Sequence, residues 1–246
     1  MDLQGRTVAI TGASSGIGEA TALACAEAGA AVALAARRAD RIEALAERIN
    51  GDGGTAVAIS ADVGEEDQAR AFVEQAHERL GRLDVLVNNA GVMLLGPIAG
   101  APTDEWRQMI HVNLFGVLYC THAALPVMLQ GGSGHIVNVS SVAGRVARAG
   151  SGVYNLTKWG VNAFSEALRQ EVTAQGIRVT IVEPGAVATE LPTHNRPEIQ
   201  EAIRSIVEGD GPLEADDIAR AIVYTLAQPQ NVSLNEVLIR PTGQVR

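Results

Sequence analysis

The sequence predicts a doubly wound α/β domain, a seven-stranded, mostly parallel sheet with helices on both faces. Three observations carry that expectation. Short apolar runs alternate with helical segments along the 246 residues. The first two runs flank a glycine-rich turn and a helix, Thr11-Gly12-Ala13-Ser14-Ser15-Gly16-Ile17-Gly18 opening that helix. No linker, repeat or low-complexity stretch breaks the alternation, so residues 1–246 read as one domain.

Residues 7–10 read as the first buried strand, followed by a helix over 17–28 that stops at Gly29. Strand 31–36 completes a βαβ unit of about thirty residues, the length such a crossover needs. In that setting bare glycines let the backbone approach a pyrophosphate, which the helix N-terminus attracts. Gly12, Ser14, Ser15, Gly16, Ile17 and Gly18 are therefore candidate dinucleotide contacts, and the domain is of Rossmann type. The end of strand two decides which dinucleotide is held. An acidic residue there bonds the ribose 2′-hydroxyl of NAD, whereas arginine accommodates the 2′-phosphate of NADP. This chain places Ala36, Arg37 and Arg38 there, with Ser14 as a further phosphate donor, so NADP is expected in preference to NAD. The alternative for both arginines is a solvated sheet edge. Asp40 reads as the N-cap of helix 40–50, with Glu43 completing a capping box.

Strand 55–60, helix 65–80, strand 83–88, helix 104–129, strand 134–139, helix 152–175 and strand 177–183 continue the pattern. Helix 214–227 and strand 236–240 close it. Asp62, beside Val63 after strand three, either contacts adenine or caps the next helix. Asn88-Asn89-Ala90-Gly91 closes strand four with residues that tolerate left-handed backbone. Asn113 falls inside the long helical pattern, and on residue type alone it points to solvent or bonds a carbonyl one turn back. Pro184-Gly185 ends strand six, with Val187 and Thr189 following. Residues 190–212 then lose periodicity, which predicts a mobile lid over the sheet's C-terminal edge.

The chemistry concentrates in residues 140–160. Tyr154 and Lys158 are four apart, so on a helix they share one face. A lysine there favours the phenolate and lowers a pKa that starts near ~10. That makes Tyr154 a general acid/base around neutral pH. Lys158 is the only lysine in the chain, against eighteen arginines. Its compact ammonium can give up a proton, which a guanidinium does not do. The plain alternative is a solvated lysine beside a core tyrosine. Ser141 follows the apolar run 135–139, so its hydroxyl is expected at a strand's C-terminal end, where open α/β sheets bind ligands.

Composition narrows the partners. A net charge of −9 with no basic face speaks against nucleic acid or an anionic membrane. Residues 1–6 are polar and no apolar run reaches the ~18 residues of a membrane span, so neither signal peptide nor membrane partner is expected. Cys25 and Cys120 stand alone in helical patterns, which fits a reduced, cytoplasmic protein. The five histidines show no ligand spacing, and no metal site is expected.

With Thr11-Gly12-(x)3-Gly16-Ile17-Gly18, Asn88-Asn89-Ala90-Gly91, Ser141, Tyr154-(x)3-Lys158 and Pro184-Gly185 in this order and spacing, the chain resembles the short-chain dehydrogenase/reductase family over essentially its whole length. The resemblance implies an oxidoreductase passing hydride between NADP(H) and a small ketone, aldehyde or secondary alcohol. It implies Tyr154 as proton donor or acceptor, Ser141 polarising the carbonyl, Lys158 on the nicotinamide ribose, and Asn113 holding a water of the proton relay. Asp62, Asn89 and Thr189 match family positions touching adenine, adenosine ribose and nicotinamide amide. The ending 236–243, with segments 93–97 and 143–146, resembles the branch of clavulanate dehydrogenase and NADP-dependent 3-hydroxy-acid dehydrogenases. A hydroxy-acid, amino-alcohol or clavulanate-like substrate would follow. The alternatives are a 3-oxoacyl thioester reductase and, outside enzymes, a catalytically silent dinucleotide sensor. Met93, Leu94, Val146 and Leu191 are expected to form an apolar substrate wall, with Arg145, Arg148 and His194 as its polar candidates. Helices 104–129 and 152–175 resemble those that pair between subunits, which implies a homotetramer.

Overall fold

The computed structural model, which describes residues 1–204 and 211–244, orders its seven strands β3-β2-β1-β4-β5-β6-β7, every neighbouring pair parallel. They are β1 (Thr7–Thr11), β2 (Ala31–Ala36), β3 (Thr55–Ser60), β4 (Val85–Asn88), β5 (Gly134–Val139), β6 (Ile177–Pro184) and β7 (Glu236–Ile239). The helices are α1 (Gly16–Glu27), α2 (Ala39–Gly51), α3 (Glu66–Leu80), α4 (Thr103–Ile110), α5 (Gly116–Gly131), α6 (Gly152–Val172), α7 (Pro197–Arg204) and α8 (Ala215–Leu226). The expected "mostly parallel" sheet is parallel throughout.

Every residue of β1, β4, β5 and β6 is buried, as strands covered on both faces must be. Alternation along each strand feeds two cores. Val8, Ile10, Val32 and Leu34 pack with Ile42 of α2 and Ile218 and Ile222 of α8. Ala9, Leu86 and Ile136 face the other way, onto Phe72 of α3, Met128 of α5 and Leu168 of α6. The chain leaves β1 towards β2 and β3, then returns to lay β4 on the other side of β1. That reversal opens a crevice at the C-terminal ends of β1 and β4, where such sheets bind ligands.

Four sequence expectations change here. Helix 104–129 is not one uniform helix: α4 and α5 are joined by a π-helical turn, His111–Phe115, which places Asn113 at the irregularity. The rod Thr103–Gly131 is also long and apolar enough by composition to cross a membrane, unlike the sequence expectation. Val117, Cys120, Ala124 and Met128 are nonetheless buried, and the last three belong to the core cluster with α3. Asp40 does not cap α2: the helix begins at Ala39 with Arg38 as its N-cap, leaving Asp40 two residues past the cap position and no side-chain cap bond. In 190–212 the loss of periodicity reflects elements too short to repeat it, a 3₁₀ turn at Leu191–His194 and the eight-residue α7. Part of that expected lid, residues 205–210, lies outside the described residues.

Candidate active site

A cavity of about 910 Å³ runs along the C-terminal edge of the sheet from Arg37 and Arg38 to Tyr154 and the 190–194 segment. That volume lies near the top of the ~300–1,000 Å³ range of small-molecule sites and leaves room for a coenzyme and a small substrate together. Its floor is the glycine turn. Gly16 has φ +57°, and a Cβ there would crowd Thr189 Cγ2 at 3.0 Å. A Cβ on Gly12 would meet Ala90 Cα at 2.8 Å. Gly18 lies beneath the turn rather than on the cavity, and a Cβ there would collide with the Gly12 carbonyl oxygen at 2.2 Å. Bare backbone therefore faces the cavity at the N-terminus of α1. Ser15 is the N-cap of α1 but makes no cap bond with its side chain. Its hydroxyl instead accepts a 2.8 Å bond from Arg38 Nη2. The helix's first N–H groups are thus free of a side-chain cap and suited to a diphosphate.

Asn89 ties the end of β4 to this turn. Its amide Nδ2 donates to the Thr11 carbonyl at 3.0 Å and to that of Gly12 at 3.3 Å. Thr11 Oγ1 in return accepts from the backbone N–H of Asn89 and Ala90, both at 3.0 Å. Asn89, Ala90 and Gly91 all line the cavity, as do Val63, Pro184, Gly185, Val187 and Thr189.

At the far end of β2 the two arginines part company. Arg38 donates to Ser14 Oγ from Nε at 3.1 Å and from Nη2 at 2.9 Å, and to Glu190 Oε2 at 2.8 Å. Arg41 takes the other oxygen of Glu190 at 2.8 Å, and Arg41 and Arg38 together hold that carboxyl at about 2. Arg37 is more exposed and only loosely paired with Asp62, at 3.8 Å. Asp62 lines the cavity but does not cap α3, whose N-cap is Glu65; its carboxylate instead accepts the Gly64 N–H at 3.0 Å in the turn before that helix.

Ser141, Tyr154 and Lys158 converge at the other end of the cavity. Ser141 follows β5 in extended backbone and caps a 3₁₀ turn, its Oγ accepting from Ala143 N at 3.1 Å. Tyr154 is buried, its ring packed with Val92 and Met109. Burial pushes the phenol up to about 12, and contact with the Ser141 hydroxyl pulls it the other way. The sequence expectation of a lowered phenol pKa is therefore reversed. Lys158 lies 5.9 Å from the centroid of the Tyr154 ring, with Nζ donating to the Val139 carbonyl at 2.9 Å. Burial lowers that ammonium to about 8.

Asn113 also departs from its plain reading. It is buried, with Oδ1 accepting from Val92 N at 2.8 Å. Nδ2 donates to Val92 O at 2.9 Å and to Thr157 Oγ1 at 3.1 Å. It braces the π turn, the irregular segment after β4 and α6 in one contact, and does not itself line the cavity. No sequence signal marks that role, because its partners lie 21 and 44 residues away.

The substrate candidates divide. Met93, Val146, Leu191 and His194 line the cavity, as does Arg148. Leu94 turns away towards Trp106 and Met109, and Leu95 takes its place on the wall. Arg145 is a correction: it points out of the cavity, its Nε donating to Glu183 Oε2 at 2.6 Å and its Nη2 paired with Glu236. Glu183 is fully buried at the end of β6 and requires a cation, which Arg145 supplies. Three positioning residues escaped the sequence reading. Asn155 holds the 143–148 loop through the carbonyls of Ala143, 2.7 Å, and Val146, 2.9 Å. Asn195 fastens the 190–195 segment to residues 93–95 by accepting from Leu95 N at 2.7 Å and donating to Met93 O at 2.8 Å. Gln244 accepts from Ala186 N at 2.9 Å and brings the C-terminal segment to the cavity wall.

Residues 6–200 match the family model for short chain dehydrogenases. An uncharacterized oxidoreductase of Staphylococcus saprophyticus is 44% identical over 251 residues, covering 99% of this chain and 98% of the relative. The closed form of a serine dehydrogenase complexed with NADP+ superimposes with a TM-score of 0.90 at 30% identity, covering 98% of this chain and 96% of that one. A short chain dehydrogenase/reductase from Burkholderia phymatum in complex with NAD gives 0.86 at 26% identity, covering 97% and 90%. The chain belongs to the short-chain dehydrogenase/reductase family of oxidoreductases.

Proposed function

We propose that this protein is an NADP(H)-dependent oxidoreductase that interconverts a small ketone or aldehyde with its alcohol, using Tyr154 as the general acid/base. The observation that carries the reading is the buried Tyr154 phenol between Ser141 and Lys158, in the same cavity as a bare glycine turn. The coenzyme, when bound, supplies or accepts the hydride. Gly12, Gly16 and the N-terminus of α1 would hold its diphosphate, and Arg38 with Ser14 and Ser15 its 2′-phosphate. Ser141 orients the carbonyl oxygen towards the phenol, and Tyr154 donates its proton to that oxygen. Lys158 and Asn113 support replacement of the proton, Asn113 by fixing the backbone around Val92. Buried, unlinked Cys25 and Cys120 suit a reducing cytoplasm. A panel of ketones, aldehydes, hydroxy acids and amino alcohols, followed by NADPH absorbance, tests the reading. A folded protein that binds NADPH and turns over none of them would favour a silent sensor.

Coenzyme choice rests on Arg38 more than on Arg37, because only Arg38 bonds the glycine turn. Arg38→Gln is expected to lower kcat/KM with NADPH by roughly 10- to 100-fold, the scale of a charge-assisted hydrogen bond, with a much smaller change for NADH. Equal kcat/KM for the two coenzymes in the unchanged enzyme would sink the NADP assignment.

Assembly as a homotetramer is supported by an apolar surface on α6. Leu156 and Trp159, three residues apart on one helix face, are 58% and 50% exposed in the single chain. Light scattering should give a tetramer mass for the wild type and a smaller one for Trp159→Glu. A wild-type monomer at micromolar concentration refutes this.

A further inference from the structure

Charges are unevenly spread along the cavity. The two carboxylates among its described lining residues, Asp62 and Glu190, both sit at the adenosine end, and both are paired with arginines. Among the described residues the substrate end has no carboxylate in its lining to pair with a cationic substrate. It does have one arginine. Arg148 lines the cavity, is half-buried, and makes no ion pair or side-chain hydrogen bond among the described residues. Arg145, three residues earlier, is by contrast consumed by Glu183 and Glu236.

The backbone around Arg148 is fixed on both sides. Its N–H donates to Asn155 Oδ1 at 3.2 Å, which ties it to the residue after Tyr154. Its carbonyl accepts from Ser151 N at 3.1 Å, and Gly150 O accepts from Gly96 N at 2.8 Å across the cavity mouth. Ser151 also lines the cavity, and its hydroxyl makes no cap bond with α6. A planar guanidinium and a hydroxyl, neither with a side-chain partner among the described residues, thus stand on a hydrogen-bonded loop joined to the helix of Tyr154. A guanidinium fork matches a carboxylate in two parallel bonds.

We propose that Arg148, assisted by Ser151, is the anion-recognition end of the substrate pocket, so that the carbonyl or alcohol compound turned over carries a carboxylate. The proposal rests on the oxidoreductase reading and narrows its substrate class to oxo and hydroxy acids. Esters, neutral ketones and quaternary ammonium aldehydes then lack the contact that holds the reacting carbon near Tyr154.

The test compares acetoacetate with its methyl ester, which keeps the reacting ketone and removes the charge. With NADPH, the wild type should favour the acid in kcat/KM by roughly 10- to 100-fold, the scale of a hydrogen bond to a charged group. In Arg148→Gln that ratio should fall to near one, with Arg148→Lys in between because an ammonium keeps charge but not the fork. Thermal melts and NADPH titration establish that each variant is folded. Calorimetry with butanoate, an unreactive carboxylate, gives a readout besides turnover: binding to the NADPH-loaded wild type should be lost in Arg148→Gln. Equal use of acid and ester by the wild type, or an acid preference that survives Arg148→Gln, overturns the proposal and leaves the oxidoreductase reading standing. If neither compound nor any other carbonyl of the panel is reduced, the oxidoreductase reading fails, and butanoate binding alone decides whether Arg148 holds a carboxylate.

Discussion

Tyr154→Phe is expected to lower kcat by roughly 10²–10⁴-fold, the usual contribution of a positioned acid/base group, while NADPH still binds. The ring is buried against Val92 and Met109, and phenylalanine keeps that packing, so the fold and the coenzyme cavity should survive. What is lost is the phenol hydroxyl beside Ser141, the proposed proton donor. The direction of its pKa shift gives a second expectation. A phenol pushed up to about 12 is protonated across the neutral range, so it is ready to donate in carbonyl reduction. Alcohol oxidation needs the deprotonated form and should climb with pH through the neutral range without levelling off. Reduction should show no loss from Tyr154 in the same interval. Steady-state kcat in both directions across pH, with NADPH fluorescence titration of the variant, checks this. A folded Tyr154→Phe enzyme with near-normal kcat would place the proton donor elsewhere.

The residues that could be read from the sequence are those whose role is written in local spacing. The glycine turn, the Tyr154 and Lys158 pair and the strand before Ser141 each depend on neighbours within one element, and the fold places them where that spacing implied. The parallel sheet was equally legible, because strands buried on both faces are apolar throughout. What stayed hidden depends on contacts between distant segments. Nothing near Glu190 announces that its carboxylate bridges Arg38 and Arg41, 152 and 149 residues away. Arg145 and Arg148 look alike in sequence. Only the burial of Glu183, on a strand 38 residues later, assigns one to an ion pair and leaves the other to the cavity. Asn113 misled for the same reason, since a helical asparagine ordinarily faces solvent, and here a π turn rotates it onto the Val92 backbone. The direction of the Tyr154 shift is not legible in sequence, because spacing gives proximity to a cation but not the desolvation that outweighs it.

The lone lysine gives the other large effect. Lys158 Nζ is enclosed: the residue is 5% exposed, bonded to the Val139 carbonyl, and within 3.8 Å of where a Cβ on Gly91 would lie. A guanidinium is wider, carries its donors in a fixed fork and does not release a proton. It should therefore displace the Gly91 and Val139 backbone from the Tyr154 side chain and interrupt proton replacement. Lys158→Arg is expected to lose roughly 10²–10⁴-fold in kcat, the scale of a disabled acid/base group. Its pH dependence separates this role from that of a simple positive charge. Burial lowers the ammonium from its ordinary value to about 8, so the charge is present below that pH and lost above it. Wild-type reduction should accordingly hold steady to about pH 8 and then decline, an inflection that belongs to Lys158 rather than to the phenol near 12. Arginine stays charged throughout, so the variant's residual activity should lack that inflection. Lys158→Met, which removes the charge at every pH, should lack it too and be at least as slow. The measurement is kcat from pH 6 to 10 for the three proteins, with melts to establish folding. If folded Lys158→Arg kept near-normal kcat and the same inflection, the ammonium would have no part in the proton path, and the decline above pH 8 would belong to another group.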